Sequence, residues 1–381
     1  MNACTIVARN YLGQAAVLAE SFLEHHPGGS FTTLVIDAER GLPDGLDPRV
    51  APVGPEATGL DHAEYARMAA AYSVVELATA VKPFLLRTML AGGMESVTYL
   101  DPDIRVYAPL DDIDALARAH GIVLTPHLEH PLPLDRTLTD VEGVLLDAGI
   151  FNLGFVAVGT GATPFLDWWG GRLARDCIID PEGGKFVDQR WVDLVPGYFD
   201  HHILIDPTVN VAWWNLAVRD LQATPDGYTV EGRPLRFFHF SGYDPTRPHL
   251  LSSHAGPAPR VLLSDRPGLR RICDEYGDLL RAAGHGPLTA QPYGLASTAA
   301  GLPIDARMRR MYREALQGAE HGDETEPPNP FAPDAGATFA QWLREPMVPP
   351  GAPAPVSRYL RRLYAEHREL APRFPLSLIH I

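Results

Sequence analysis

Apolar and polar positions in the first part of this 381-residue chain alternate between strand-like and helix-like patterns. Residues 3–8 form a short continuous apolar run, the pattern of a buried strand. The next segment places Ala15, Leu18, Ala19, Phe22 and Leu23 on one helical face, and Pro27-Gly28-Gly29 stops it. Residues 31–36 read as a second strand ending at Asp37, and residues 41–59, rich in Gly and Pro, as a surface loop around a short strand. Alanine content predicts helix over 61–80, and Pro83 suits the first turn of a further helix reaching Gly92. Residues 97–100 form a third buried strand, cut off by Asp101-Pro102-Asp103. Strand and helix in alternation predict an α/β fold with a mostly parallel central sheet flanked by helices.

The middle of the chain is mixed. Strands are predicted at 122–124, 151–158, 203–205 and 235–240, short helices at 168–177 and 186–194, and a loop at 126–133. After Pro267 the pattern turns to charged helices at 269–283, 304–317 and 356–370, separated by proline-rich stretches at 326–333 and 346–355. The predicted division is therefore an α/β domain over residues 1–259 and a helical C-terminal extension over 260–381, with no internal repeat.

Composition narrows the class. A net charge of −15 repels nucleic acid and anionic lipid, so neither is an expected partner. Cys4, Cys177 and Cys273 lie far apart without metal-ligand spacing, which fits a reducing compartment. The longest apolar stretch, 141–158, is interrupted by Glu142, Asp147 and Asn152, so no transmembrane segment is expected. Met1 to Arg9 contains no basic region followed by an apolar core. A cytoplasmic location is the expectation.

Two groups of residues carry candidate chemistry. Asp101 and Asp103 sit two apart at the end of a buried strand, where open parallel sheets bind their ligands, and Pro102 is expected to keep the chain extended so both carboxylates face one side. Two acidic oxygens there can hold Mg2+ or Mn2+ with positions left for diphosphate oxygens. An Asp-Pro turn with solvated carboxylates fits the same dipeptide. Further on, Phe237-Phe238-His239-Phe240-Ser241-Gly242 places a histidine at an apolar strand end. It can serve as a metal ligand or as a hydrogen-bonded core residue, with Ser241 and Gly242 offering donors to phosphate.

In their shared order these residues resemble the retaining GT-A glycosyltransferases of family 8 and their bacterial relatives, over roughly residues 1–250. Ala8-Arg9-Asn10-Tyr11 is similar to the first nucleotide-binding turn, and Asp37 ends the second strand where the family contacts the base. Leu100-Asp101-Pro102-Asp103 resembles the Asp-X-Asp metal motif, and Phe151-Asn152-Leu153-Gly154 the segment lining the donor sugar. Asp188-Gln189 resembles the pair beneath that sugar. Phe238-His239-Phe240-Ser241-Gly242 resembles the His-X-X-Gly that supplies the third metal ligand and a phosphate contact. Arg9 stands where an acidic residue is frequent, Leu153 replaces a small alanine, and Arg190 follows Asp188-Gln189 where an acidic residue is frequent. Residues 356–364 are similar to helices that follow this domain in bacterial polysaccharide-type glycosyltransferases, a pattern in which residues 375–381 have no counterpart.

The resemblance implies a GT-A, Rossmann-like fold and a metal-dependent hexosyltransferase working in polysaccharide biosynthesis. The donor would be a nucleotide-diphosphate sugar, a UDP-sugar first, and the acceptor a glycan, lipid-linked, small-molecule or protein hydroxyl, with retention. It implies Asp101, Asp103 and His239 as ligands of Mn2+ or Mg2+. Ala8, Asn10, Tyr11, Asp37, Asp101, Asn152, Gly154, Ser241 and Gly242 become nucleotide-sugar contacts, and Asp188 and Gln189 catalytic residues. Lys82 reaches the diphosphate on one reading and snorkels over an apolar face on the other. Two alternatives stand beside this expectation. A sugar nucleotidyltransferase would begin with a Gly-rich basic loop, which Ala8-Arg9-Asn10-Tyr11 lacks. A catalytically inactive glycosyltransferase-like scaffold would not need Asp101, Asp103 and His239 intact.

Overall fold

A computed structural model describes residues 1–347 and 355–367, without the side chain of Arg40. The chain forms two compact units, one of residues 1–60 and 78–293, the other of residues 61–77 and 294 onward.

The first unit is built on a seven-stranded sheet. Strands β1 (Asn2–Val7), β2 (Ser30–Val35), β3 (Pro52–Val53) and β4 (Ser96–Leu100) run parallel to one another. A short strand β5 (Ile104–Val106) lies outside this sheet, while β6 (Ile122–Leu124) and β7 (Phe155–Gly159) continue it. β7 is reversed, antiparallel to both β4 and β6, and His202–Ile203 adds an edge strand parallel to β6. The result is a mixed α/β fold with a mostly parallel central sheet, as the alternating pattern predicts.

Local physics explains the boundaries. Helix α1 (Leu12–His25) turns the face its periodicity selects inward: Leu18, Ala19 and Phe22, with half-buried Leu23, join Ala3, Phe31 and Leu100, while Ala15 joins Val7, Val35 and Val50. Pro83 sits in the first turn of the helix Lys82–Ala91, where its missing N–H costs nothing. The predicted strand at 151–158 begins only at Phe155, because residues 151–154 leave the ladder to form a loop. The predicted helix at 186–194 shrinks to Gln189–Val192.

The two units divide later in the chain than residue 259. Helix Pro267–Ala282 belongs to the first unit because Leu269, Ile272, Cys273, Tyr276 and Leu280 share a core with Phe238 and Phe240. Tyr276 stacks on Phe240 with ring centroids 3.8 Å apart.

The second unit gathers helices His62–Ala71, Ala306–His321, Ala337–Arg344 and Arg358–Glu366. The predicted continuous helix over 61–80 breaks after Ala71. Buried Arg309 donates to the carbonyls of Ala69, Tyr72 and Leu295, each at 2.6 Å, and so satisfies acceptors at that break. Residues 368–370 of the last predicted helix and the terminal segment 371–381 lie outside the described residues. Among the described residues no helix is long and apolar enough to cross a membrane.

Candidate functional site

The site forms where β4 ends. All five residues of β4 are buried, so the strand fixes the start of the Asp101-Pro102-Asp103 turn within the core. That segment is not extended, as expected from Pro102, but turns: the Ile104 N–H donates to the Asp101 carbonyl at 3.0 Å. A proline at the second position of a hydrogen-bonded turn is pre-set for this geometry. β5 then pairs antiparallel with Phe237–His239, with His239 opposite Ile104, one residue past Asp103. This register, set by apolar strands on both sides, carries the histidine across more than a hundred residues to the carboxylates.

Ligating atoms of Asp101, Asp103 and His239 all lie within 4.8 Å of one another, the metal-capable grouping found among the described residues. His239 Nε2 is 3.1 Å from Asp103 Oδ1 and 3.8 Å from Asp101 Oδ2. Burial alone pushes the His239 imidazole down, but the carboxylates of Asp103 and then Asp101 outweigh it and hold the ring above its usual value. Burial likewise favours neutral Asp103, yet the His239 imidazole beside it holds that carboxyl below the usual range. Asp101 goes the other way: burial dominates and raises it, although Lys82 and His239 pull it down. Tyr99 Oη donates to Asp101 Oδ1 at 2.7 Å and fixes that carboxylate.

The opposite wall is the loop before β7. The Asp101 N–H donates to the Gly154 carbonyl at 2.8 Å, tying the two loops together. A Cβ on Gly154 would lie 2.4 Å from His239 Cε1 and 2.9 Å from both Asn152 Oδ1 and Asp101 Oδ2. The glycine therefore keeps the space between His239, Asp101 and Asn152 clear. Asn152 Oδ1 is buried and has no hydrogen-bond partner.

His127 explains why that oxygen points inward. Its Nδ1 lies 3.1 Å from the Ile150 carbonyl, which can only accept, so Nδ1 carries the proton of a neutral ring. The bare Nε2 then accepts from the Asn152 amide nitrogen at 3.2 Å, leaving Asn152 Oδ1 facing the site. Burial pushes the His127 imidazole down to about 4, which keeps it neutral. A depressed histidine contributes stability that is present above its unfolded value of 6.5 and lost as pH falls toward the folded one. The shift corresponds to roughly 3 kcal/mol. His127→Gln keeps one donor and one acceptor without the titration. It is expected to flatten the fall in unfolding free energy between about pH 6.5 and 4, followed by urea denaturation.

Beneath this wall lies a buried ion pair. Lys82 Nζ is 2.6 Å from Asp188 Oδ2 and donates to the Leu153 carbonyl at 2.8 Å, while lying 4.1 Å from the centre of the Tyr99 ring. The lysine does not snorkel over an exposed face, because its side chain is 1% exposed and its ammonium is paired with Asp188. Burial raises the Asp188 carboxyl, against the pull of Lys82. Gln189 braces the same loop, donating to the Ala148 carbonyl at 2.9 Å and accepting from the Leu153 N–H at 3.2 Å. Val187, just before them, has φ of +41°, a left-handed backbone unusual for a β-branched residue. Such strain is held in place by its surroundings and clusters at functional sites.

A cavity of about 580 Å3 opens from Asp103 and is lined by Tyr11, Gln14, Ser241, Gly242 and Tyr276, among others. Gly242 has φ of +73°, and a Cβ there would meet Ser252 Oγ at 2.6 Å, so two constraints demand glycine. Ala8 is buried, Tyr11 is 46% exposed, and Asn10 Oδ1 is a buried oxygen without a partner. Asp37 accepts from the Arg9 N–H at 2.9 Å and pairs with its guanidinium at 3.4 Å, so it shapes the first turn.

The structure thus brings Asp101, Asp103, His239, Asn152, Gly154, Lys82, Asp188 and Gln189 to one end of the sheet. Sequence reasoning missed His127 and Gln14, whose Oε1 is also a buried acceptor without a partner. It also missed Asn210 and Asn215, two amides bracketing the apolar run Val211-Ala212-Trp213-Trp214, where that bracketing was the available signal.

No family model matches the chain. It is 27% identical over 254 residues to the uncharacterized protein YfnF of Bacillus subtilis (strain 168), covering 63% of this chain and 80% of that protein. It is 28% identical over 159 residues to the uncharacterized protein YfnD of the same organism, covering 39% of this chain and 47% of YfnD. Among solved structures it is similar to the galactosyltransferase LgtC in complex with donor and acceptor sugar analogs, at 17% identity and a TM-score of 0.41, covering 77% of this chain and 98% of LgtC. It is also similar to the glycosyltransferase GlyE of Streptococcus pneumoniae TIGR4, at 12% identity and a TM-score of 0.40, covering 76% of this chain and 65% of GlyE. These likenesses are distant, and the chemistry rests on the site's own residues.

Proposed function

We propose that the protein is a metal-dependent glycosyltransferase of the GT-A type. It would move a hexose from a nucleotide-diphosphate sugar, a UDP-sugar first, to an acceptor hydroxyl with retention of configuration. The observation that carries this reading is the convergence of Asp101, Asp103 and His239 around the space that Gly154 leaves open. Two carboxylate oxygens and one imidazole nitrogen suit Mn2+ or Mg2+. When bound, such an ion supplies electrostatic stabilisation to a departing diphosphate.

The remaining work falls to the chain. Ser241 and the Gly242 N–H stand beside Asp103 on the wall of the cavity and would donate to phosphate oxygens. Asn10 and Tyr11, in a turn shaped by Ala8 and Asp37, would receive the nucleoside. The inward Asn152 carbonyl oxygen would accept from a sugar hydroxyl. Asp188 would contact the sugar as well, but its pairing with Lys82 leaves it poorly placed to take the acceptor's proton. That supports retention, with the leaving phosphate oxygen receiving the proton on the same face. Gln189, locked by two backbone hydrogen bonds, would present a fixed dipole to the cation-like anomeric carbon.

A melting-temperature screen of UDP-, GDP- and dTDP-sugars with and without Mn2+ tests the reading. One donor is expected to raise the melting temperature only when Mn2+ is present; at a hundred times its Kd the gain is about 2.7 kcal/mol. Failure of every nucleotide diphosphate to bind with Mn2+ would overturn it. The anomeric signal of the product in proton NMR separates retention from inversion.

A further inference from the structure

We propose that Asn210 is the positioning residue that makes His239 a metal ligand, by fixing which imidazole nitrogen carries the proton; the proposal rests on the metal-site part of the reading above. A histidine can coordinate only through a nitrogen that bears no hydrogen. His239 Nε2 faces the carboxylates, so the hydrogen has to sit on Nδ1. Asn210 Oδ1 lies 3.2 Å from that Nδ1 and gives it an acceptor. Without one, Nε2 can carry the hydrogen and donate to Asp103 Oδ1, 3.1 Å away. That arrangement removes the ligand nitrogen and one carboxylate oxygen together.

Asn210 is built for this task. It is fully buried, and its φ of +52° is a left-handed backbone that asparagine tolerates better than most residues. Its amide nitrogen has no partner, so the side chain's polar contact is the one it makes with His239. The backbone beneath it is clamped. Asn215 Nδ2 donates to the Asn210 carbonyl at 2.9 Å and to the His127 carbonyl at 3.2 Å, while Asn215 Oδ1 accepts from the Ala212 N–H at 2.9 Å. The His239 N–H donates to the Val211 carbonyl at 2.8 Å, so ring and amide are referenced to neighbouring backbone. Trp214 meets the His239 ring edge-on at 5.2 Å and limits its rotation. Groups that orient a ligating histidine through its second nitrogen are worth about 10- to 100-fold in metal affinity.

Two substitutions separate this role from a purely structural one. Asn210→Gly keeps the left-handed backbone available and removes the acceptor, whereas Asn210→Asp keeps an acceptor and tolerates the backbone. Mn2+ affinity of the full chain, measured by titration calorimetry without donor, is expected to fall about 10- to 100-fold in Asn210→Gly and to stay near or above wild type in Asn210→Asp. Melting curves report whether each variant folds. Equal Mn2+ affinity in wild type and a folded Asn210→Gly overturns the proposal and leaves the metal site standing. Weak binding by Asn210→Asp overturns it too, and that variant decides the matter alone if Asn210→Gly does not fold. A wild-type chain that binds no Mn2+ overturns this proposal together with the metal reading.

Discussion

Gly154→Ala is expected to fold normally and to lose transfer activity by about 100-fold or more, with Mn2+ affinity falling in parallel. The backbone at this position does not have the positive φ that would penalise alanine. The effect is therefore steric and local to the site. A methyl group would come within 2.4 Å of His239 Cε1 and 2.9 Å of Asp101 Oδ2, so ring and carboxylate must part. Each tenfold loss corresponds to about 1.4 kcal/mol of transition-state stabilisation. Separating two ligands while crowding Asn152 makes two such factors a conservative expectation. kcat/KM across a Mn2+ titration checks it, beside a melting curve that should barely move. A fully active Gly154→Ala would mean that the reacting groups meet somewhere else.

Lys82→Met carries the largest expected effect on stability. Lys82 and Asp188 are both nearly sealed from solvent, at 1% and 3% side-chain exposure, and the lysine also satisfies the Leu153 carbonyl. Removing one partner leaves a buried carboxylate without countercharge, a change that costs about 3–5 kcal/mol. Burial already raises the Asp188 carboxyl, so in the variant it would take up a proton instead of remaining charged. Lys82→Met with Asp188→Asn removes the charge from both sides and is expected to recover a large part of the loss, because a neutral pair can be nearly isoenergetic with an ion pair. Urea denaturation of the two single variants and the double variant closes the cycle. A loss under about 1 kcal/mol in Lys82→Met would be the behaviour of a solvent-exposed pair, contrary to the geometry.

The parts of this molecule legible in its sequence are those whose signal is local. β1, β2 and β4 announce themselves as apolar runs because parallel strands are buried on both faces. Asp101 and Asp103 stand out because they end a buried strand and stand in shared order with the other motif-like blocks, although an Asp-Pro turn fits the same dipeptide. The loop at 151–154 was hidden, since Phe151, Leu153 and Phe155 alternate with Asn152 and Gly154 in the period of a strand. Only hydrogen bonds from distant backbone, Asn152 N–H to the Thr125 carbonyl and Asp101 N–H to the Gly154 carbonyl, pull it out of the ladder. Helix 267–282 looked like its charged successors, because periodicity reveals an apolar face without naming the partner that covers it. His127 and Asn210 act through single contacts across sequence separations of 25 and 29 residues, and no local pattern encodes those.

One consequence of the reversed strand β7 concerns how the site keeps its shape. Because β7 runs against β4, the Asp101-Pro102-Asp103 turn leaves the sheet where the 151–154 loop enters it, and Leu100 pairs directly with Phe155. The two halves of the site are indexed to each other by a single strand pair. The exposed residues 133–137, in the chain between them, can change in number or composition without shifting that index. Under the proposed function, acceptor preference could diverge at that exposed stretch while Asp101, Asp103 and Asn152 stay in register.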